Sequence, residues 1–195
     1  CTTQAMQLLL YLRSRGASAA LIEVTDRHSL STYSTVLDDT DYVIVDETHL
    51  VICGTDVYLG GRCITKARSA HRYLIFDYGD YGSIPDVTAF LDKKLRIIVG
   101  GAKPWDMEHF ADVFEADDGA NRYIFSFVAV GDQTAVRRGM EDSADQTFFA
   151  SYAPDYFNFC GDDGLYSAVL GNDVLVQGVP APQKKKKGFF FWSKE

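Results

Sequence analysis

The amino-terminal segment, residues 1–26, constrains the fold more than any other stretch of the chain. Thr2 and Thr3 open an amphipathic run that stops at Gly16, and the near-continuous apolar run 19–24 follows it. Apolar residues at helical spacing before a glycine predict a helix, and a continuous apolar run predicts a parallel strand buried on both faces. A helix that begins with threonine and leads into such a strand is typical of a phosphate-binding βα unit, seen from the point where its glycine-rich loop ends.

The rest of the chain alternates between strand-like and helix-like segments, which predicts an α/β fold with a mostly parallel sheet and helices on both of its faces. We expect residues 1–178 to form this domain, and residues 179–195 to form a linker and a basic, aromatic tail. The predicted strands are residues 19–24, 42–46, 49–53, 72–77, 95–101, 122–130 and 145–152, and the predicted helices are residues 4–15, 64–70, 85–91, 103–115, 132–142 and 164–170.

The amino-terminal register resembles the ParA/MinD branch of the SIMIBI class of P-loop ATPases, in which Lys-Thr-Thr runs into a helix, a glycine and a strand ending in Asp-x-Asp. Cys1 stands where that lysine is expected, and Glu23 and Thr25 stand at the two aspartate positions. Within this branch, the chain is similar to the pilus-localising and septum-site ATPase homologues. The resemblance implies a three-layer P-loop NTPase-like domain that lacks its first strand and glycine loop in the given chain. The positions that match the family are Thr2, Thr3 and Gly16.

Three later segments resemble the same family. Asp77 ends the apolar run YLIFD, like a Walker B carboxylate that holds the Mg²⁺ shell through water. Ser126 stands where the family has an asparagine beside the base, and Pro154 lies in a segment similar to the loop near the adenine. The resemblance therefore implies ATP or ADP with magnesium as the cofactor, or no cofactor in a fully degenerate member. It assigns nucleotide binding to Thr2, Thr3, Glu23, Asp77, Ser126 and Pro154, and metal binding to Thr2 and Asp77.

The same residues have purely structural interpretations. Thr2 is also a suitable N-cap, which satisfies a helix donor whether or not a ligand is present, and an aspartate such as Asp77 often stabilises the turn after a strand. Thr25 has no group that acts as a general base near neutral pH, and its neighbour Asp26 would point to the opposite face of a strand. We therefore assign no catalytic residue and do not expect an efficient ATPase.

Charge and cysteine usage exclude several classes of function. The net charge is −8, while the last twelve residues carry +4, so that the remaining body carries −12. Such an acidic body disfavours binding to nucleic acid. The four cysteines show no C-x-x-C spacing and the four histidines are scattered, which argues against a zinc site. We expect these histidines to lie at the surface or in loops.

The tail combines lysines with aromatic residues. Each lysine gains about 1 kcal/mol near an anionic membrane, and aromatic rings settle in the headgroup region. The arrangement is similar to the C-terminal membrane-targeting segment of MinD. Alternatively, the aromatic side chains dock on the body of the protein or on a partner protein. The residues assigned to the membrane surface are Lys184, Lys185, Lys186, Lys187, Phe189, Phe190, Phe191 and Trp192.

Three functions remain open at this point. The favoured one is a pseudo-ATPase that positions other proteins or serves as their scaffold, in the cytoplasm of a bacterium and peripherally at the inner face of its membrane. The alternatives are a Mg-ATP-dependent ATPase that forms a homodimer, and a protein-interaction domain that binds no nucleotide. Because the family's sheet is centred on a strand that comes before the Cys1 position, we also expect the natural protein to extend upstream of Cys1.

Overall fold

The helices and strands of the chain follow the predicted order, with one additional strand, in a computed structural model that describes residues 1–25, 29–38, 40–115 and 123–171. The helices are α1 (Thr2–Ser14), α2 (Ile64–Ala70), α3 (Val87–Leu91), α4 (Pro104–Glu115), α5 (Gln133–Gly139) and α6 (Asp163–Leu170). The strands are β1 (Ala19–Glu23), β2 (Tyr42–Asp46), β3 (His49–Ile52), β4 (Thr55–Leu59), β5 (Tyr73–Asp77), β6 (Ile97–Gly100), β7 (Ile124–Val128) and β8 (Thr147–Ala150).

The described strands form two sheets. A five-stranded sheet has the order β2-β3-β4-β1-β5, and a three-stranded sheet has the order β6-β7-β8. β1 is parallel to β4 and β5, and β7 is parallel to β6 and β8. The β2–β3 and β3–β4 pairs are antiparallel. The predicted fold class, α/β with mostly parallel strands, is therefore confirmed.

Helices α1 and α2 cover opposite faces of the five-stranded sheet. Strand β1 is buried along its whole length, as its continuous apolar sequence predicts. Leu21 packs with Leu9 of α1 in one apolar cluster, whereas Ile22 packs with Ala67 of α2 in another. Successive side chains of a strand point to opposite faces, so this alternation produces the helix–sheet–helix layers.

Strand β4 is the element that the sequence analysis did not predict. Residues 42–46 and 49–52 do form an antiparallel hairpin, but the chain turns again at Cys53 and Gly54, whose φ angles are 47° and 69°. A two-residue loop with positive φ at both positions matches the twist of the flanking strands. Because cysteine stands where such turns usually have asparagine or aspartate, the sequence gives only a weak signal for this turn. β4, rather than β3, then pairs with β1.

The three-stranded sheet packs against α3 and α4 through a largely aromatic cluster. Gly100 at the end of β6 allows α4 to approach closely, since a Cβ atom at this position would overlap the Phe110 ring. The ring centroids of Phe110 and Phe127 lie 5.1 Å apart. The other aromatic members that are buried in this cluster are Tyr78, Phe90, Tyr123 and Phe125.

Candidate functional site

Two carboxylates lie next to each other at the carboxyl end of the five-stranded sheet. Glu23 ends β1 and Asp77 ends β5, and the two residues are direct partners in the parallel register. Their side chains therefore point to the same face of the sheet. Glu23 is 0% exposed and Asp77 is 2% exposed. Burying two acidic groups side by side is costly unless each is hydrogen-bonded or paired with a cation.

Among the described residues, each of these carboxylates accepts hydrogen bonds through one of its two oxygens. Glu23 Oε1 accepts from the Ser29 hydroxyl at 2.7 Å and from the Leu30 N–H at 3.4 Å. Asp77 Oδ1 accepts from the Gly79 N–H at 3.0 Å. Glu23 Oε2 and Asp77 Oδ2 are buried and have no hydrogen-bond partner among the residues that the structure describes. Both are acceptors that a cation or a donor group would satisfy.

Tyr156 lies beside this acidic pair. Its ring stacks on Tyr33 with the centroids 5.6 Å apart, and its buried hydroxyl has no hydrogen-bond partner within the described residues. Burial raises the pKa of Tyr156, and the nearby Tyr33, Asp77 and Glu23 raise it further. The phenol therefore stays protonated, so that it brings a neutral donor rather than another negative charge to this end of the sheet.

The segment that carries Tyr156 is held in place by α1. Gln7 is fully buried in α1, where its Oε1 accepts from the Cys160 N–H at 2.8 Å and its Nε2 donates to the Asn158 carbonyl at 2.9 Å. Asp155 stabilises the turn by accepting from the Phe157 N–H at 3.0 Å and from the Asn158 side chain. These hydrogen bonds lower the pKa of Asp155, with the contribution of Asn158 the largest.

A cleft of about 1150 Å³ opens between β5 and β6, and it brings together only some of the predicted site residues. Asp77, Ser126 and Cys1 line it, whereas the lining does not include Glu23. The Ser126 hydroxyl is buried and has no hydrogen-bond partner in the described part of the chain. The other predicted ligands that lie outside the lining are Thr2, Thr3 and Pro154.

The start of α1 differs from the sequence-based interpretation in which Thr2 is the N-cap residue. Cys1 is the N-cap residue and Thr2 is the first residue of the helix, and no side chain in the described part of the chain caps this end. The interpretation of Thr2 as an N-cap is therefore wrong. The first turn of α1 contains no acidic residue. The amide groups of a first helical turn and the positive end of the helix dipole favour a bound anion.

One cluster of titratable side chains was missed because β4 was not predicted. His49 Nε2 lies 2.9 Å from Asp56 Oδ1, and His71 Nε2 lies 3.9 Å from Asp56 Oδ2. The His49 ring stacks on Tyr58, with the centroids 4.3 Å apart. His49 lies in β3 with its side chain only 12% exposed, so its predicted surface or loop position is wrong. His71 is 11% exposed but lies in the loop between α2 and β5, as predicted. His109 is exposed, as predicted.

Several predictions concern metals and membranes. Across the described ranges, no group of three or more His, Cys, Asp or Glu residues is arranged to hold a metal ion. None of the helices in these ranges has the length and apolar character that crossing a bilayer requires. Cys1, Cys53, Cys63 and Cys160 are free thiols. Asp26 and the predicted membrane-binding tail, from Lys184 to Trp192, lie outside the described residues.

No protein-family model and no curated protein matches the chain. Among solved structures, it is similar to a plasmid partition protein from Borrelia burgdorferi B31 bound to AMPPNP, with a TM-score of 0.55 and 15% identity over 86% of this chain and 90% of that chain. A second structure of a plasmid partition protein from Borrelia burgdorferi gives a TM-score of 0.53, with 15% identity and the same two coverages. At this level of identity the similarity concerns the fold alone. The chain therefore has a ParA-like fold, as the resemblance implied.

Proposed function

We propose that this chain is a pseudo-ATPase: a ParA-like domain that retains part of a nucleotide site and positions other proteins or serves as their scaffold. The observation that carries the proposal is the composition of the cleft at the carboxyl ends of the strands. Asp77 and Ser126 each contribute a buried oxygen without a partner in the described chain, which suits a cation and a polar ligand. Cys1 lines the same cleft at the position where the family has its phosphate-binding lysine.

Two features support poor hydrolysis. The thiol of Cys1 supplies no positive charge to a phosphate, and Thr25 cannot replace an aspartate in activating water. Lys93 also lines the cleft, but its ammonium donates to the Ala89 carbonyl at 2.6 Å and lies 4.5 Å from the centre of the Phe76 ring. This lysine would have to leave both contacts before it neutralised a phosphate.

The residues present fit magnesium in one respect. Asp77 lines the cleft and its buried Oδ2 lacks a partner among the described residues, and Mg²⁺ is usually held by one or two carboxylates together with water and substrate phosphates. The bound cation would offset the charge of Asp77 and of the phosphates beside it. The solved plasmid partition protein with a similar fold was bound to AMPPNP.

Calorimetric titration of Mg-ATP and Mg-ADP into the full-length natural protein tests this proposal. We expect binding without turnover, and we expect Asp77→Asn to weaken it at least about tenfold, since that substitution keeps the Gly79 hydrogen bond but removes the charge. Asp142→Asn, at an exposed carboxylate outside the cleft, is the matched control and should bind like the wild type. Efficient turnover with ATP-dependent dimerisation would instead establish the active ATPase, and no heat at millimolar nucleotide would establish a nucleotide-independent interaction domain.

The site of action at a membrane is a separate part of the proposal and rests on the composition of the tail. Sedimentation with anionic liposomes tests it. Replacement of Phe189, Phe190 and Trp192 by alanine should abolish sedimentation, whereas Tyr152→Ala, at an exposed aromatic residue in the body, should leave it unchanged. Undiminished sedimentation of the triple variant would remove the membrane from the proposal without affecting the nucleotide site.

A further inference from the structure

Strand β2 forms an open edge of the five-stranded sheet, and its middle residues are apolar and exposed. Among the described strands, β2 pairs only with β3. Val43, Ile44 and Val45 are 42%, 68% and 52% exposed, so three consecutive apolar side chains face solvent. Such a run on an unpaired edge is unfavourable in water, and it is a template for pairing with another extended chain. The edge is therefore a candidate surface for a partner.

The backbone of this edge offers hydrogen bonds to an added strand. The Cys53 N–H donates to the Asp41 carbonyl at 2.7 Å, which shows which residues of β2 direct their backbone groups towards β3. Because hydrogen-bonded and non-bonded pairs alternate along an antiparallel ladder, Val43 bonds to β3, and Ile44 directs its N–H and its carbonyl away from β3. An added strand would therefore pair with the backbone of Ile44.

The side chains beside this edge are apolar on both faces of the sheet. Ile44 stands opposite Leu50, which belongs to the apolar cluster beneath α1, and Val43 stands opposite Val51 on the other face. A strand added at Ile44 would place successive side chains beside these two groups in turn. The middle of the added segment must therefore be apolar at consecutive positions, rather than polar on one face.

Acidic residues stand at both ends of the apolar edge. Asp38 and Asp41 precede the three apolar residues, and both are exposed. Asp46 and Glu47 follow them and are exposed as well. Lys66 donates to Asp46, whereas the other three carboxylates form no ion pair with any residue that the structure describes. An extended segment with basic residues at both ends would complement this charge.

We propose that the β2 edge is a docking site for an extended segment of another protein, apolar in its middle and basic at both ends, which adds to the sheet as a further strand beside β2. Main-chain hydrogen bonds at Ile44 supply affinity, and the acidic ends select a basic partner. The proposal rests on the scaffold role in the proposed function and gives that role a surface. The surface is separate from the cleft, because no residue of β2 lines the cleft.

Two other occupants complement the edge less well. A second copy of the chain would bring a second β2 with the same acidic ends. In antiparallel pairing centred on Ile44, Asp41 of each copy would face Glu47 of the other, and this repulsion keeps such pairing weak. The tail of the same chain has four lysines before its aromatic residues, but the side chains of the last three residues, 193–195, carry no net charge. The tail therefore complements the acidic residues at only one end of the edge.

Binding of a synthetic peptide to the full chain tests the proposal. The probe is a fluorescently labelled Lys-Lys-Val-Ile-Val-Lys-Lys peptide with capped ends, and its affinity is measured by fluorescence anisotropy without nucleotide. We expect saturable binding and, at saturating peptide, at least about tenfold slower hydrogen exchange at the Ile44 amide.

Two control peptides separate strand pairing from simple charge attraction. The first has glutamate at the four lysine positions and reverses the charge. The second has proline in place of the central isoleucine and lacks a backbone donor at that position. Both should bind at least about tenfold more weakly than the probe.

Variants of the chain locate the site. Ile44→Lys should weaken binding of the probe at least about tenfold, since it places a positive charge at the centre of the edge. Val87→Lys makes a comparable change at a valine that is 55% exposed in α3, and it should bind like the wild type. Asp41→Lys combined with Glu47→Lys should exchange the preference, so that the glutamate peptide binds and the probe does not.

Every other outcome overturns the proposal. No binding at millimolar probe would exclude the docking site, and undiminished binding of the proline peptide, or of the probe to the Ile44→Lys variant, would mean charge attraction without strand addition. Protection of the Ile44 amide that is lost on removal of residues 184–195 would assign the edge to the tail, and protection that rises with protein concentration would assign it to a second copy. None of these measurements uses nucleotide, so failure at this edge and failure of the nucleotide site in calorimetry are separate results.

Discussion

Gln7 offers the sharpest test of how the carboxyl end of the sheet is held together. The substitution Gln7→Leu keeps the approximate size of the side chain but removes one donor and one acceptor. It leaves the Cys160 N–H and the Asn158 carbonyl without the partners that lie at 2.8 and 2.9 Å. An unsatisfied buried polar group costs about 1–3 kcal/mol. With some offset from the more apolar leucine, we expect a loss of about 3 kcal/mol in the free energy of unfolding.

Urea unfolding at neutral pH measures this loss, and a thermal scan should show the melting temperature lowered by about 6–12 °C for a domain of this size. Hydrogen exchange at the Cys160 amide should accelerate as well. Gln133→Leu makes the same chemical change at an exposed position in α5 and should alter stability by less than about 0.5 kcal/mol. If the two variants unfold at the same urea concentration, Gln7 does not hold the loop in the way described.

Three further predictions concern packing, pH and the sheet edge. Gly100→Ala should destabilise the fold by about 2 kcal/mol or more in urea unfolding, because its Cβ would overlap the Phe110 ring, whereas Gly131→Ala, with open space around it, should be nearly neutral. Burial raises the pKa of Tyr78 to about 12, above the unfolded value of about 10. The protonated phenol therefore adds its full stabilisation below about pH 10, and this part of the free energy of unfolding is lost as the pH rises from about 10 to 12. Tyr78→Phe should flatten this alkaline loss of stability, and an unchanged dependence of stability on pH would contradict the prediction. Ile44→Lys, at a position 68% exposed on edge strand β2, should reduce self-association in light scattering while changing stability by less than about 0.5 kcal/mol.

The placement of the acidic pair could be predicted in outline from the sequence. The apolar runs before Glu23 and Asp77 predicted two parallel strands, and the carboxyl ends of parallel strands share one edge of a sheet. The structure places the two residues directly opposite each other in adjacent strands. Their different relation to the cleft could not be predicted, because it depends on which later segments cover each side chain.

Long-range hydrogen bonds explain most of what the sequence did not reveal. From the sequence alone, Gln7 would be placed on the polar face of an amphipathic helix, yet it is fully buried. It can be buried because its side chain forms hydrogen bonds with the backbone of residues 158 and 160, more than 150 positions away. Local periodicity carries no information about such partners. The cluster of His49 and Asp56 was hidden for a related reason, since it forms only after the unpredicted turn at Cys53 brings β4 beside β3.

The two carboxylates at the end of the sheet differ in how available they are to a ligand. Glu23 is fully buried, does not line the cleft, and already accepts hydrogen bonds from the segment 29–30. Asp77 lines the cleft, and the Gly79 N–H that it accepts belongs to its own turn. Both side chains are buried, but Asp77 is the more available of the two, because a ligand at Glu23 would also have to displace Ser29. The hydrogen bonds of Glu23 therefore hold the segment 29–30 to the end of β1, whereas Asp77 is the carboxylate that a ligand in the cleft would contact.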